Sequence, residues 1–227
     1  MEYNKQTTER FLNLYRQLET IRDVNPNLYS YYQRKYDSLF EQFRSLRNLL
    51  SHEQFGGDYP VAVSSAVASS LSGILAQMGL SAYEVASKSI YALKESDSLS
   101  YASSLFAEKG FGYLPILDAK KRVLGVLTPQ KLLALRNEDG SFATKTVGSY
   151  MDSFALNKQS KRFAYLSRNA PFYQAERLFL SQEGGKRIGL IFLTESGDPD
   201  QSLLGLLTVY DVLKSVSKDS EGRCYAI

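Results

Sequence analysis

Leu124-Gly125-Val126-Leu127-Thr128 and Leu204-Gly205-Leu206-Leu207-Thr208 are the stretches on which the fold turns. The second repeats the first 80 positions later, with glycine, aliphatic residues and threonine in the same order. An aliphatic run closed by threonine reads as a strand entering a helix, because a threonine oxygen accepts from the first free amides of a helix. An internal repeat of this length implies two copies of one supersecondary unit.

The flanking sequence extends both copies in the same order. In the first, Ile90-Tyr91-Ala92-Leu93 reads as a strand and Ser98 to Lys109 as a helix. Strands at Tyr113–Leu117 and Arg122–Leu127 follow, separated by an Asp118–Lys121 turn, and a helix opens at Thr128. In the second, a strand at Phe163–Leu166 and a helix at Pro171–Gln182 precede strands at Arg187–Leu193 and Leu203–Leu207, and Thr208 opens the last helix. Alternation of short β-rich runs with helical stretches gives strand, helix, strand, strand, helix, twice.

The first 80 residues read as helix. Phe11, Leu14, Leu18 and Ile21 recur at spacings of three and four, and Asn25-Pro26-Asn27 marks a turn. Tyr32, Tyr36, Leu39, Phe43, Leu46 and Leu50 form a heptad-like stripe suited to a bundle or dimer seam. Gly56-Gly57 breaks it, and a third helix is expected from Pro60, striped by Val67, Leu71, Ile74 and Met78. Three helices over so short a stretch make a thin core, which favours pairing with a second copy or packing on the rest of the chain.

Composition narrows the function. The 227 residues contain no apolar run of membrane-spanning length, and Met1 to Arg10 lacks a secretory core, so a cytoplasmic location is expected. The single cysteine, Cys224, cannot close an internal disulfide, and no Cys/His cluster offers a metal site. Residues 1–80 carry eight basic and eight acidic side chains; residues 81–227 carry nineteen and sixteen. Neither half has the basic excess of a strong nucleic-acid binder. Phosphate loops, dinucleotide fingerprints and catalytic triads are absent from the sequence.

The repeat, over roughly 81–216, resembles the CBS domain, which occurs in tandem as a Bateman module. The most specific element is Gly205-Leu206-Leu207-Thr208-Val209-Tyr210-Asp211, a glycine, two hydrophobic residues, threonine and, three further on, aspartate. In that family the corner binds adenosine nucleotides, the aspartate accepting from ribose hydroxyls and the threonine donating to phosphate. Elementary chemistry agrees, since a helix N-terminus favours anions and a carboxylate suits a cis-diol. The plain alternative is a Thr208 cap with Asp211 in the first turn. In the first copy Gly125, Val126, Leu127 and Thr128 match, but Lys131 replaces the aspartate and cannot accept from ribose. That site is expected to be empty or to lend positive charge to a phosphate. Tyr165, Leu166, Ala170 and Leu190 are candidates for a base pocket, and Lys161, Arg162, Arg168, Lys186 and Arg187 for phosphate neutralisation.

Arg47-Asn48-Leu49-Leu50-Ser51-His52 carries the only histidine. It resembles the motif of HEPN domains, in which arginine, a polar residue and a nearby histidine serve metal-independent endoribonucleases acting as dimers. The resemblance implies a catalytic set of Arg47, Asn48 and His52, with RNA as substrate and its 2′-hydroxyl as nucleophile. Histidine moves protons near neutral pH and arginine holds a scissile phosphate. On an ideal helix Arg47 and His52 point about 140° apart, whereas Asn48 and His52 share a face, so convergence calls for a two-fold dimer. Otherwise Arg47 forms a salt bridge and His52 complements a helix C-terminus.

The sequence thus predicts an α+β chain. A short HEPN-like helical bundle occupies 1–80, CBS domains occupy 81–147 and 148–217, and 218–227 is a tail. The expected function is regulatory: Gly205, Thr208 and Asp211, with Thr128, Tyr165 and Ala170, bind an adenine nucleotide such as AMP, ADP or ATP without metal, and the helices mediate homodimerisation or partner contact. The alternative is a nucleotide-gated endoribonuclease built on Arg47, Asn48 and His52.

Overall fold

The computed structural model describes residues 5–52, 59–138, 144–156, 162–183 and 185–217. These fall into two compact units that meet in sequence between Leu80 and Ser81. The expectations placed on Gly56-Gly57, Cys224 and the tail 218–227 lie outside the described residues.

The first unit holds helices α1 (Lys5–Val24), α2 (Pro26–Lys35), α3 (Asp37–His52) and α4 (Ser65–Met78). Helix α1 buries Thr8, Phe11, Tyr15 and Leu18, spaced to share one face. Asn25 ends it and caps the next helix, its Oδ1 accepting from Leu28 N at 3.2 Å ahead of Pro26 in the first turn. The sequence suggests one helix through Tyr36, but two form. Tyr36 leaves helical geometry (φ −127°) while its amide closes α2 onto the Tyr32 carbonyl. That break resets the stripe, so Phe40, Phe43 and Leu50 are buried and Leu39 and Leu46 are only half-buried.

The fourth helix starts later than Pro60 implies. Ser64 caps it, its Oγ accepting from Val67 N at 3.3 Å. The non-helical lead-in is held instead by the buried Val63 amide, which donates to Thr8 Oγ1 on α1. Tyr32 Oη donates to the Gln77 carbonyl at 3.1 Å and Tyr36 Oη to Gln77 Oε1 at 2.9 Å, fastening α2 to α4. Phe11, Phe40 and Phe43 fill the centre in tilted contact.

The second unit contains α5 (Ala82–Val85), α6 (Leu99–Lys109), β1 (Leu114–Leu117), β2 (Val123–Leu127), α7 (Pro129–Glu138), α8 (Met151–Phe154), β3 (Phe163–Ser167), α9 (Phe172–Leu180), β4 (Gln182–Glu183), β5 (Lys186–Arg187), β6 (Leu190–Thr194), β7 (Gly205–Leu207) and α10 (Val209–Ser217). In its first half β1 and β2 pair antiparallel, and Leu93 adds a parallel bridge to Ile116. In its second half β3 runs parallel to β6, and β6 pairs antiparallel with β7. Both halves therefore share the order strand, helix, strand, strand, helix, but the expected strand at Ile90–Leu93 shrinks to the single Leu93 bridge. The strand expected over Arg187–Leu193 is split: Lys186 and Arg187 turn back onto Gln182 and Glu183, and β6 starts only at Leu190.

Strand alternation builds two cores. Leu114, Ile116 and Leu127 join Leu99, Ala102, Leu105 and Leu135 beneath the helices of the first half. Val123 and Val126, three apart, share the opposite face because the register slips between Ile116 and Leu117, and they meet Phe163, Leu190, Phe192 and Leu203 of the second half. The halves also exchange their leading segments. Ser87, ahead of the first half, exchanges backbone hydrogen bonds with Leu206 on β7 (2.9 and 3.0 Å). Ala155, ahead of the second, bridges to Gly125 on β2. Gly125 is obligatory there, because a Cβ would lie 2.5 Å from the Phe154 carbonyl oxygen.

Candidate functional site

Strand register puts one end of the second sheet in line with a helix start. Leu207 lies opposite Ile191 across antiparallel strands, and Phe163 opposite Leu190 across parallel ones. The residue after β7, Thr208, is therefore level with the entries to β6 and β3. Gly189 and Arg162 stand at that same edge, joined by the Gly189 amide donating to the Arg162 carbonyl at 2.8 Å.

At this corner the Thr208 amide and hydroxyl both donate to Asp211 Oδ2, each at 2.7 Å. This is a capping arrangement in which the carboxylate also faces the positive end of α10. The second oxygen, Oδ1, accepts from Ser87 Oγ at a longer 3.2 Å. A carboxylate offers about four acceptor positions, so Asp211 retains capacity for a further donor. Thr208 and Asp211 are both half-buried, within reach of solvent-borne ligands.

Gly205 serves a different end from ligand contact. A Cβ there would lie 3.2 Å from Ala86 Cβ and 3.4 Å from Leu193 Cδ1, so the glycine lets the leading segment cross β7 closely. Tyr165 sits in mid-strand, in register with Phe192 and through it with Leu206. Its ring lies 5.0 Å from that of Phe192, and its buried hydroxyl has no hydrogen-bond partner. Burial, aided by the charge of Asp200, pushes the phenol up to about 12. Ala170 follows the other end of β3, away from Thr208, and its carbonyl accepts from Ala82 N. Leu190 is committed to the core, 1% exposed. The geometry thus brings Thr208 and Asp211 together, and leaves Gly205 and Ala170 apart.

The first copy's corner is built differently. Thr128 Oγ1 accepts from Lys131 N at 3.3 Å, an ordinary cap. The Lys131 ammonium donates to the Ser153 carbonyl and lies 5.9 Å over the Phe154 ring. Burial, then the charge of Arg162, lowers the Lys131 pKa. Each corner is thereby tied to the segment leading into the other half: Asp211 to Ser87, and Lys131 to Ser153. Sequence reasoning missed Ser87, which stands in an unremarkable polar stretch and pairs with a residue 124 positions away.

Of the basic candidates, Arg162 shares the Thr208 edge. Arg168 lies 4.4 Å over the Tyr83 ring with Glu195 at 3.6 Å, and Arg187 returns to Gln182. Lys161 and the side chain of Lys186 lie outside the described residues. In the helical unit Arg47 reaches Glu19 at 3.4 Å and Asn48 Oδ1 at 3.5 Å. His52 ends α3, and its side chain lies outside the described residues. Among the described residues no group of acidic, histidine or cysteine side chains could hold a metal ion, and no helix is long and apolar enough to cross a membrane.

No curated protein matches the chain. Among solved structures, a putative acetoin utilization protein (AcuB) from Vibrio cholerae is similar at 16% identity, over 63% of this chain and 98% of that one, with a TM-score of 0.49. The CBS-pair protein CBSX2 from Arabidopsis thaliana is similar at 22% identity over 62% and 96%, with a TM-score of 0.47. A structure of CBSX2 in complex with AMP gives 22% identity over 62% and 98%, with a TM-score of 0.46. Residues 82–138 match the family model of the CBS domain. By that match, the chain carries a CBS domain at residues 82–138.

Proposed function

We propose that residues 81–147 and 148–217 form a CBS pair that binds one adenine-type nucleotide at the Thr208–Asp211 corner. The observation that carries this reading is the Asp211 carboxylate, held at the N-terminus of α10 by Thr208 with acceptor capacity to spare. The helix N-terminus favours the phosphate and the carboxylate favours the ribose diol. The repeat of the Gly-aliphatic-aliphatic-Thr corner and the family match of the first copy support extending the reading to the second. Lys131, already engaged with Ser153, makes the first corner a poor second site.

Regulation follows from the exchanged segments. Ser87 donates to the same carboxylate that the ribose would use, so occupancy competes with a contact between the halves. A ligand shifts such an equilibrium only through its different affinity for the two arrangements. The helical unit, whose described helices make a small core, acts in this reading as the dimerisation or partner-binding element. Isothermal titration of AMP, ATP and S-adenosylmethionine into wild type and Asp211→Ala tests it. Binding lost with the carboxylate supports the reading; binding indifferent to Asp211 refutes it.

A further inference from the structure

We propose that the helical unit holds a separate binding site for a compact phosphate-bearing anion, in a depression of about 440 Å³ between α1, α2 and α3. That volume suits a small ligand, whose sites run from roughly 300 to 1,000 Å³.

Three helix faces make the site. From α1 come Tyr15, Glu19 and Arg22, spaced four and three apart; from α3 come Arg44, Arg47 and Asn48. Tyr29 of α2 completes it. Three guanidiniums face the Glu19 carboxylate, and Arg22 also pairs with Asp23 at 2.9 Å, which leaves a local charge of +1 in a half of the chain whose eight basic and eight acidic residues balance. The two tyrosines are anchored: the Tyr15 ring lies 6.1 Å from Phe11, and the Tyr29 ring meets Phe40 edge-on at 5.5 Å. A phenol donates at neutral pH in any case, and burial, the largest cause, raises the Tyr15 pKa further above the ordinary 10.0.

Arg44 and Arg47 have donors to spare, whereas the Arg22 Nε already donates to Asp23 Oδ1 at 2.9 Å. No hydrogen bond or ion pair engages the exposed Arg44 among the described residues. The contacts of Arg47 to Glu19 and Asn48, at 3.4 and 3.5 Å, are far longer than the roughly 2.7–2.9 Å at which charge-assisted bonds settle. Glu19 is thus a loose stand-in for a better anion. One arginine fork satisfies one carboxylate, whereas several guanidiniums match a phosphate's additional oxygens and charge. A charge-balanced helical half lacks the extended basic track that RNA needs, which favours a compact ligand.

The test is isothermal titration of the full chain with tripolyphosphate at low ionic strength, in wild type, Arg44→Ala and Arg34→Ala. Arg34 lies on α2 outside the depression, its Nε bonded to the Ser30 carbonyl. Both arginines are exposed, so both variants should fold with unchanged melting midpoints. The expected result is saturable binding that Arg44→Ala weakens about tenfold or more, as for loss of a hydrogen bond to a charged group, and that Arg34→Ala leaves intact. No saturable binding, or equal weakening in both variants, overturns the proposal. So does displacement of tripolyphosphate by a single-stranded oligoribonucleotide binding at least about tenfold tighter, which would assign the site to RNA.

Discussion

Replacing Gly125 by alanine should destabilise the CBS-bearing unit more than any other glycine-to-alanine change at a described position with φ below zero, apart from Gly189, which faces a movable tyrosine tip. The new Cβ would lie 2.5 Å from the Phe154 carbonyl oxygen, 2.9 Å from its carbon and 3.3 Å from its Cβ. Two of these are backbone atoms and cannot rotate away. Phe154 cannot retreat as a residue either: it is 0% exposed and packed into the core of the first half. The clash must separate β2 from the segment that the halves exchange. Overpacking of this kind costs about 1–3 kcal/mol, and the immobile partner places Gly125→Ala near about 3. At about 2–4 °C per kcal/mol that is a fall in Tm of roughly 6–12 °C. Urea unfolding followed by far-UV circular dichroism measures the free energy. Gly73, inside α4 with nothing within 4 Å of its would-be Cβ, is the matched control. Its alanine variant should gain about 0.5–1 kcal/mol from helix propensity and a less free unfolded chain. A Gly125→Ala change within about 0.5 kcal/mol of wild type would refute the close crossing.

Tyr165→Phe removes a buried hydroxyl that has no partner, and should be neutral or stabilising by up to about 1 kcal/mol in urea titrations. Because the folded phenol titrates at about 12 rather than the ordinary 10.0, wild-type stability is full below that ordinary value and falls as pH rises toward about 12. The phenylalanine variant should lose less between pH values of about 10 and 11, and an unchanged slope would contradict the assignment. Ser64→Ala deletes the cap of α4 and should cost the helical unit about 1 kcal/mol by the same unfolding measurement. Ser87→Ala frees Asp211 Oδ1 from a competing donor and should tighten nucleotide binding about two- to tenfold by calorimetry, because a bond to the carboxylate stretched to 3.2 Å falls below the usual worth of a charge-assisted one; weaker binding would count against that competition.

The anchors of the second unit were legible because local chemistry and tertiary use coincide. Gly-aliphatic-aliphatic-Thr marks a strand running into a capped helix, and β2 and β7 do end at Leu127 and Leu207, immediately before Thr128 and Thr208. The reading failed where tertiary contacts decide. Ile90–Leu93 has strand composition, yet only Leu93 finds a partner. Ile188-Gly189 interrupts an aliphatic run because a Cβ at Gly189 would meet the Tyr113 hydroxyl, a contact from the other half. In the helical unit the period was right and the phase was not. Tyr36 breaks the backbone between α2 and α3, which puts Phe40 in the core where the continuous stripe placed Leu39. At the site, Thr208 and Asp211 were readable as a pair because they lie three positions apart, along one helical turn. Ser87 was not, since nothing in its neighbourhood signals a partner 124 residues on.

The most direct test of the nucleotide reading is a thermal-shift comparison of wild type and Asp211→Ala with AMP, ADP, ATP and S-adenosylmethionine, each variant referred to its own unliganded midpoint. That reference matters because Asp211→Ala also removes the bonds from Thr208 and Ser87. Ligand at about 100 times its Kd should stabilise wild type by about 2.7 kcal/mol. A clear upward shift is expected with at least one adenine compound in wild type and none in Asp211→Ala. No shift with any of them, or an equal shift in both proteins, would contradict it.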